Sequence, residues 1–125
     1  MKVAAIVPAY NEKDRISSVL DAIKGAQVVD EILVVSDGST DGTYEFVASD
    51  PAVKTVRLDK NVGKGGAMRA GAMTTDADVI LFLDADLIGM TSEKVNAIVG
   101  PVVEERADMA VGIFKEGRGV TDLAQ

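Results

Sequence analysis

A chain of 125 residues that is 47% apolar is one domain in length and can bury a hydrophobic core. Its formal charge of −7, its 4% aromatic content and its lack of Trp exclude general nucleic-acid binding, because an acidic surface repels a phosphate backbone and stacking platforms are missing. With neither Cys nor His, it has no disulfides, thiolate sites, Ser-His-Asp catalysis or Cys-His catalysis. Its chemistry must therefore run on carboxylates, Lys or Arg, backbone dipoles and an oxygen-preferring metal ion.

In chain order, Val3 to Val7 reads as a buried parallel strand stopped by Pro8. Asn11 is placed to cap a helix, with Asp14 at its third position, Ile16, Val19, Leu20 and Ile23 at helical spacing, and Gly25 at its end. Ile32 to Val35 is a second strand that breaks into the turn-rich "SDGSTDG", after which Thr40 or Asp41 caps a helix through Ser49. "VKTVRL", residues 53–58, alternates as a third strand. A helix pattern follows from Gly63 to Thr75, then a fourth strand from Val79 to Leu83. Ser92 to Val99 reads as helix interrupted by Gly100 and Pro101, and Met109 to Phe114 as a fifth strand. The tail "KEGRGVTDLAQ" is polar and Gly-rich and lacks a closing element. Strands and helices alternate throughout, which predicts an α/β fold: a mostly parallel sheet with helices on both faces.

The N-terminus carries no signal-peptide cleavage pattern, and no run approaches the roughly 18 apolar residues of a membrane span. The expectation is a cytoplasmic protein, with membrane association on the cytoplasmic face only through segments other than these; a homodimer is allowed.

In such sheets ligands bind beyond the carboxyl ends of the strands. Four polar loops fall there: "PAYNE" after strand one, "SDGSTD" after strand two, "NVGKGG" after strand three and "DAD" after strand four. Asp84 and Asp86 are one residue apart at the end of an unbroken apolar run, so on an extended strand both point the same way. Like charges so placed call for a cation, and Mg²⁺ or a similar ion takes one or two carboxylates and completes its shell with water and phosphate oxygens. The plain alternative is a solvated turn with Asp as turn former. Asp37 is the first residue past a buried strand and can accept a hydrogen bond from a nucleobase N–H. An EF-hand is ruled out, because Ala48 stands where the loop needs a bidentate Glu. Gly63 to Gly66, with Lys64, suits an anion at a helix N-terminus. The stretch is neither a Walker A motif, since no Ser or Thr follows the Lys, nor G-x-G-x-x-G, since Met68 takes the third glycine's place. Tyr10 can lie against a planar group, and Glu12 can bond a ribose hydroxyl or the helix cap.

With "VPAYNE", "VVSDGSTDGT", "NVGKGGAMRAG" and "VILFLDADL" in order, the chain resembles the nucleotide-binding half of family 2 glycosyltransferases of the GT-A fold. Within that family it is similar to polyprenyl-phosphate mannose and glucose synthases and to glucosyl-phosphoglycerate synthases. The resemblance implies that residues 1–125 are the nucleotide-diphosphosugar-binding part of a glycosyltransferase domain, with the acceptor-binding part absent. It implies that Pro8, Ala9, Tyr10 and Glu12 line the nucleoside pocket, that Asp37 contacts the base, and that Gly63, Lys64 and Gly65 lie near the ribose, diphosphate or sugar. Asp84 and Ala85 would border the donor. Asp84 and Asp86 would hold Mg²⁺ or Mn²⁺, with Asp86 the more direct ligand. The implied donor is a UDP- or GDP-sugar and the implied acceptor a polyprenyl phosphate, a phosphoglycerate or a saccharide. One departure is Ser36-Asp37, where the family usually has Asp-Asp, so the base contact rests on Asp37. No catalytic base is identified in these residues. Two alternatives stand beside this reading. One is a half-domain that binds sugar nucleotide and metal without turnover. The other is a haloacid-dehalogenase-type phosphatase with Asp84 as nucleophile, which the position of the motif opposes, since such enzymes carry it near the start of the domain.

Overall fold

The computed structural model describes residues 1–104, 110–114 and 121–122. Ten elements alternate along the chain: β1 (Val3–Ala9), α1 (Ile16–Lys24), β2 (Glu31–Asp37), α2 (Thr43–Ala48), β3 (Lys54–Leu58), α3 (Lys64–Thr74), β4 (Val79–Leu83), α4 (Ser92–Glu104), β5 (Ala110–Phe114) and β6 (Thr121–Asp122). They build one sheet in the order β3-β2-β1-β4-β5-β6, parallel except for the antiparallel β5–β6 pair. The expected α/β architecture is the one found.

Alternation along the strands divides the core into two layers. Val3, Ala5, Val7, Ile32, Val34, Val79, Leu81 and Leu83 face α1, α2 and α4, whose Ile16, Val19, Leu20, Ile23, Val47, Val95 and Val99 close over them. Ile6, Leu33, Val35, Ile80 and Phe82 face the other way, against Ala67, Met68, Ala70 and Ala72 of α3. Burial on both faces explains why these strands read as unbroken apolar runs rather than as alternating ones. Strands β1, β2 and β3 are also held at their amino ends. Buried Glu31 accepts from Lys54 Nζ at 2.7 Å and Thr75 Oγ1 at 2.6 Å, and pairs with Lys2 Nζ at 3.4 Å. Burial alone would push its carboxyl up, but these partners outweigh that and hold it below the usual Glu range.

Several expectations need correction. Pro8 does not stop β1, which runs on to Ala9; beyond Ile6 the strand pairs with β2 alone, so the missing N–H falls where one side is already unpaired. Asn11 is not a helix cap. It takes a left-handed φ of 53°, donates its N–H to Ser39 Oγ and accepts from the Thr40 N–H at 2.8 Å, while α1 begins only at Ile16. The cap residue of α2 is Gly42, although the Asp41 carboxylate accepts from the Thr43 N–H just inside the helix at 2.9 Å. Gly100 and Pro101 do not break α4, because Val99, Val102 and Val103 all pack on the core and their burial outweighs the lost backbone bond. Within the tail, Thr121–Asp122 pairs antiparallel with β5. Met109, expected at the start of the fifth strand, lies outside the described residues.

Helix α3 lies close to the sheet because it presents a glycine there. A Cβ at Gly71 would meet Ile6 Cγ2 at 2.7 Å and Val35 Cγ2 at 3.1 Å. Gly71→Ala is therefore expected to destabilise the chain by about 1–3 kcal/mol through overpacking, despite the better helix propensity of Ala. Urea denaturation checks this, and a variant as stable as the parent would refute it.

Candidate functional site

The chain builds outward from β1 to β2 and β3, then returns to lay β4 on the other side of β1. The loops after β1 and β4 therefore diverge, and a crevice opens between them at the carboxyl edge of the sheet. A cavity of about 310 Å³ lies there. Pro8, Ala9, Tyr10 and Glu12 line it from the loop after β1, and Asp84, Ala85 and Asp86 from the loop after β4. Asp37 enters from β2, and Asn61, Gly63, Lys64 and Ala67 from the β3–α3 segment. Ten of the eleven residues expected at the site thus share one cavity. Gly65, the eleventh, does not line it, and a side chain there would point into open space. Asn61 and Ala67 were not anticipated. Asn61 stands in the quoted loop and Ala67 one helical turn after Lys64, so the signals were adjacency and helical spacing.

Each acidic group at the cavity has its own environment. Asp37 is buried; its Oδ1 accepts from the Val62 N–H at 2.8 Å, and its carbonyl accepts from Asn61 Nδ2 at 3.2 Å. Asp84 Oδ1 is paired with Lys64 Nζ. Asp86 is exposed and is paired with no cation among the described residues. Glu12 accepts from Arg15 at 2.7 Å through Oε1, while its Oε2 is buried without a partner. Burial pushes the Glu12 carboxyl above its usual range; the Arg15 guanidinium opposes this, and the charges of Asp86 and Asp41 reinforce it.

The donor set suits a hard divalent cation. Asp84 and Asp86 both line the cavity, from the turn after β4 rather than from the extended strand, and Oε2 of Glu12 is buried there without a partner. No group of three or more His, Cys, Asp or Glu able to hold a metal is found among the described residues. A cation here would need oxygens from water or a bound phosphate to complete its shell.

The loops are linked in series. Asn11, Glu12 and Lys13 donate backbone N–H groups to Ser39, Thr43 and Asp41, which ties the first loop to the second. Asp37 bonds Asn61 and Val62, which ties the second to the third, and Lys64–Asp84 ties the third to the fourth.

Sheet order and cavity together define a doubly wound α/β protein with a cavity at the switch point of the sheet, and its structural neighbours are GT-A glycosyltransferases. The profile of the family described as glycosyl transferase family 2 matches residues 4–124, and the chain belongs to that family. It is 38% identical over 94 residues to a dolichyl-phosphate beta-glucosyltransferase of Trichomonas vaginalis, covering 65% of this chain and 28% of that protein. It is 33% identical to the glucosyl-3-phosphoglycerate synthase of Mycobacterium tuberculosis, covering 97% of this chain and 40% of that one. A crystal structure of the Mycobacterium tuberculosis synthase in complex with Mn²⁺ and UDP-glucose superposes with a TM-score of 0.71 at 31% identity, over 81% of this chain and 39% of the other. The chain thus spans between 28% and 40% of the length of these relatives. No helix among the described residues is long and apolar enough to cross a membrane.

Because the folded state raises the Glu12 pKa, Glu12 favours the fold below the ordinary Glu value, and that contribution is lost as pH rises through the raised value. Glu12→Gln keeps an acceptor for Arg15 and removes the loss. The variant is expected to melt higher than the parent at about pH 7.5, with the gap closing by about pH 4. Thermal melts at both pH values check this, and a parent that is the more stable at neutral pH would count against it.

Proposed function

We propose that this chain is the donor-binding part of a hexosyltransferase that uses a nucleoside diphosphate sugar and a divalent cation. One observation carries the reading: four loops from four successive strands meet in one cavity that is lined by Asp84, Asp86 and Lys64. In the transfer the bond between the sugar's anomeric carbon and the diphosphate oxygen breaks, and an acceptor hydroxyl or phosphate oxygen bonds that carbon. The diphosphate leaves with the bonding electrons, and the acceptor proton is passed to a base.

The residues divide the work by chemistry. Tyr10 is exposed at the rim and can lie along the base, with Pro8 and Ala9 as the pocket floor. Asp37 accepts from Val62 through Oδ1, and its Oδ2 can accept a base N–H. Uracil offers one such donor at its Watson–Crick edge, and the likeness to a synthase crystallised with UDP-glucose supports uridine over guanosine. The unpartnered Oε2 of Glu12 suits a ribose hydroxyl donor. Asp86, with Asp84, would hold Mn²⁺ or Mg²⁺, and the Mn²⁺ bound with donor in that relative supports such a site. When bound, the cation supplies Lewis-acid stabilisation of the charge that builds on the departing diphosphate. Lys64 and the N-terminus of α3 add positive potential at the same place. The acceptor, a polyprenyl phosphate, a phosphoglycerate or a saccharide, and the general base would be met by sequence that the longer relatives have beyond the shared part.

Calorimetric titration of UDP and GDP into the 125-residue chain, with and without Mn²⁺, tests the reading. UDP is expected to bind in a Mn²⁺-dependent way, and Asp86→Asn is expected to weaken that binding at least about tenfold, since removing one carboxylate ligand costs more than a second-shell change. Binding that ignores the metal and the variant would refute the assignment. Hydrolysis of the donor by the chain separates an active half from one that only binds.

A further inference from the structure

The cavity is lined by four carboxylates, Glu12, Asp37, Asp84 and Asp86, and one ammonium, Lys64. That ammonium lies on Asp84 Oδ1. Asp84 is mostly buried, with 13% of its side chain exposed, whereas Lys64 keeps 41% exposed and sits at the free first turn of α3, where no side chain caps the helix. The pair therefore joins a fixed carboxylate to a mobile cation. A Lys stem has the reach and rotamer freedom to swing between two anionic partners, and its charge is a compact point that either can use.

We propose that Lys64 is a stand-in cation at the metal site, so that donor diphosphate and divalent cation each bind better once the other has drawn Lys64 off Asp84. This rests on the donor-site reading above. In the free chain Lys64 blocks one oxygen of Asp84 and repels a second cation, so the metal alone binds weakly. A diphosphate at the N-terminus of α3 offers Lys64 a stronger anion in a place where the helix dipole already favours one. Lys64 moves to it, and Asp84 is released to act with Asp86. The coupling is reciprocal: whatever factor UDP adds to the affinity for metal, the metal adds to the affinity for UDP. Metal is then retained only with a diphosphate present, and an acidic cavity does not fill with cations between turnovers.

The test is Mn²⁺ titration of the 125-residue chain, read by the electron paramagnetic resonance signal of free Mn²⁺, with and without saturating UDP. Wild type is expected to bind Mn²⁺ weakly alone and more tightly with UDP. Lys64→Met is expected to bind Mn²⁺ alone about twofold to fivefold more tightly, as loss of a half-exposed ion pair allows, and to show a smaller tightening by UDP. Lys64→Arg keeps the charge and is expected to bind Mn²⁺ alone more weakly than Lys64→Met does; Lys64→Gln replaces Lys64→Met should the latter not fold. If wild type binds Mn²⁺ with UDP but Lys64→Met gains nothing in its absence, this proposal is overturned and the donor-site reading stands. If wild type binds no Mn²⁺ even with UDP, both fall.

Discussion

The site depends on the double-faced burial of β1 and β4, the two strands at the centre of the switch. Because Val3 to Val7 and Val79 to Leu83 are covered on both sides, their backbones have nowhere to shift, and the residues that follow them leave the sheet at set positions. Asp84 is the first residue past that buried run. Its carboxylate is carried to the edge of the crevice by the apolar residues before it, and there it meets Lys64. Charged groups that repel one another can be held together only by a frame of this stiffness.

The loops inherit the order of the sheet. Successive links, from Asn11 and Glu12 to Ser39 and Thr43, from Asp37 to Val62, and from Lys64 to Asp84, join all four into one chain of contacts. A site assembled in this way needs little ordering on binding, which leaves more of the interaction energy for affinity. Three of the links use backbone N–H groups as donors, so they persist through many side-chain changes. Only the last is an ion pair between side chains, and it is the one that a charged ligand can open.

Much of this was legible in the sequence because its signals were local. Apolar runs bounded by polar loops showed β1, β2 and β4, and the carboxyl-edge rule then placed Asp37, Lys64 and the Asp84–Asp86 pair together. What was not legible depended on partners distant in sequence. Pro8 looks like a stop until β4 is seen to leave β1 at Ile6. Asn11 looks like a cap until Thr40 is seen beside it. Gly100 and Pro101 look like a break until the valines beyond them are found on the core. Asn61 could be suspected only from its adjacency to the glycine-rich loop until its bond to the carbonyl of Asp37 is seen. In each case tertiary contact overrode a local preference.

Lys64, Ala67 and Gly71 stand on one side of α3, at intervals of three and four residues. The first reaches the cavity, the second lines it and is fully buried, and the third rests against Ile6 and Val35. Gly71 is two turns from Lys64, roughly 10 Å along the axis. A side chain at Gly71 would press on Ile6 and Val35 and so bear on the whole of α3, Lys64 included. The seat of α3 on the sheet is therefore a constraint on the cavity that no cavity-lining residue carries.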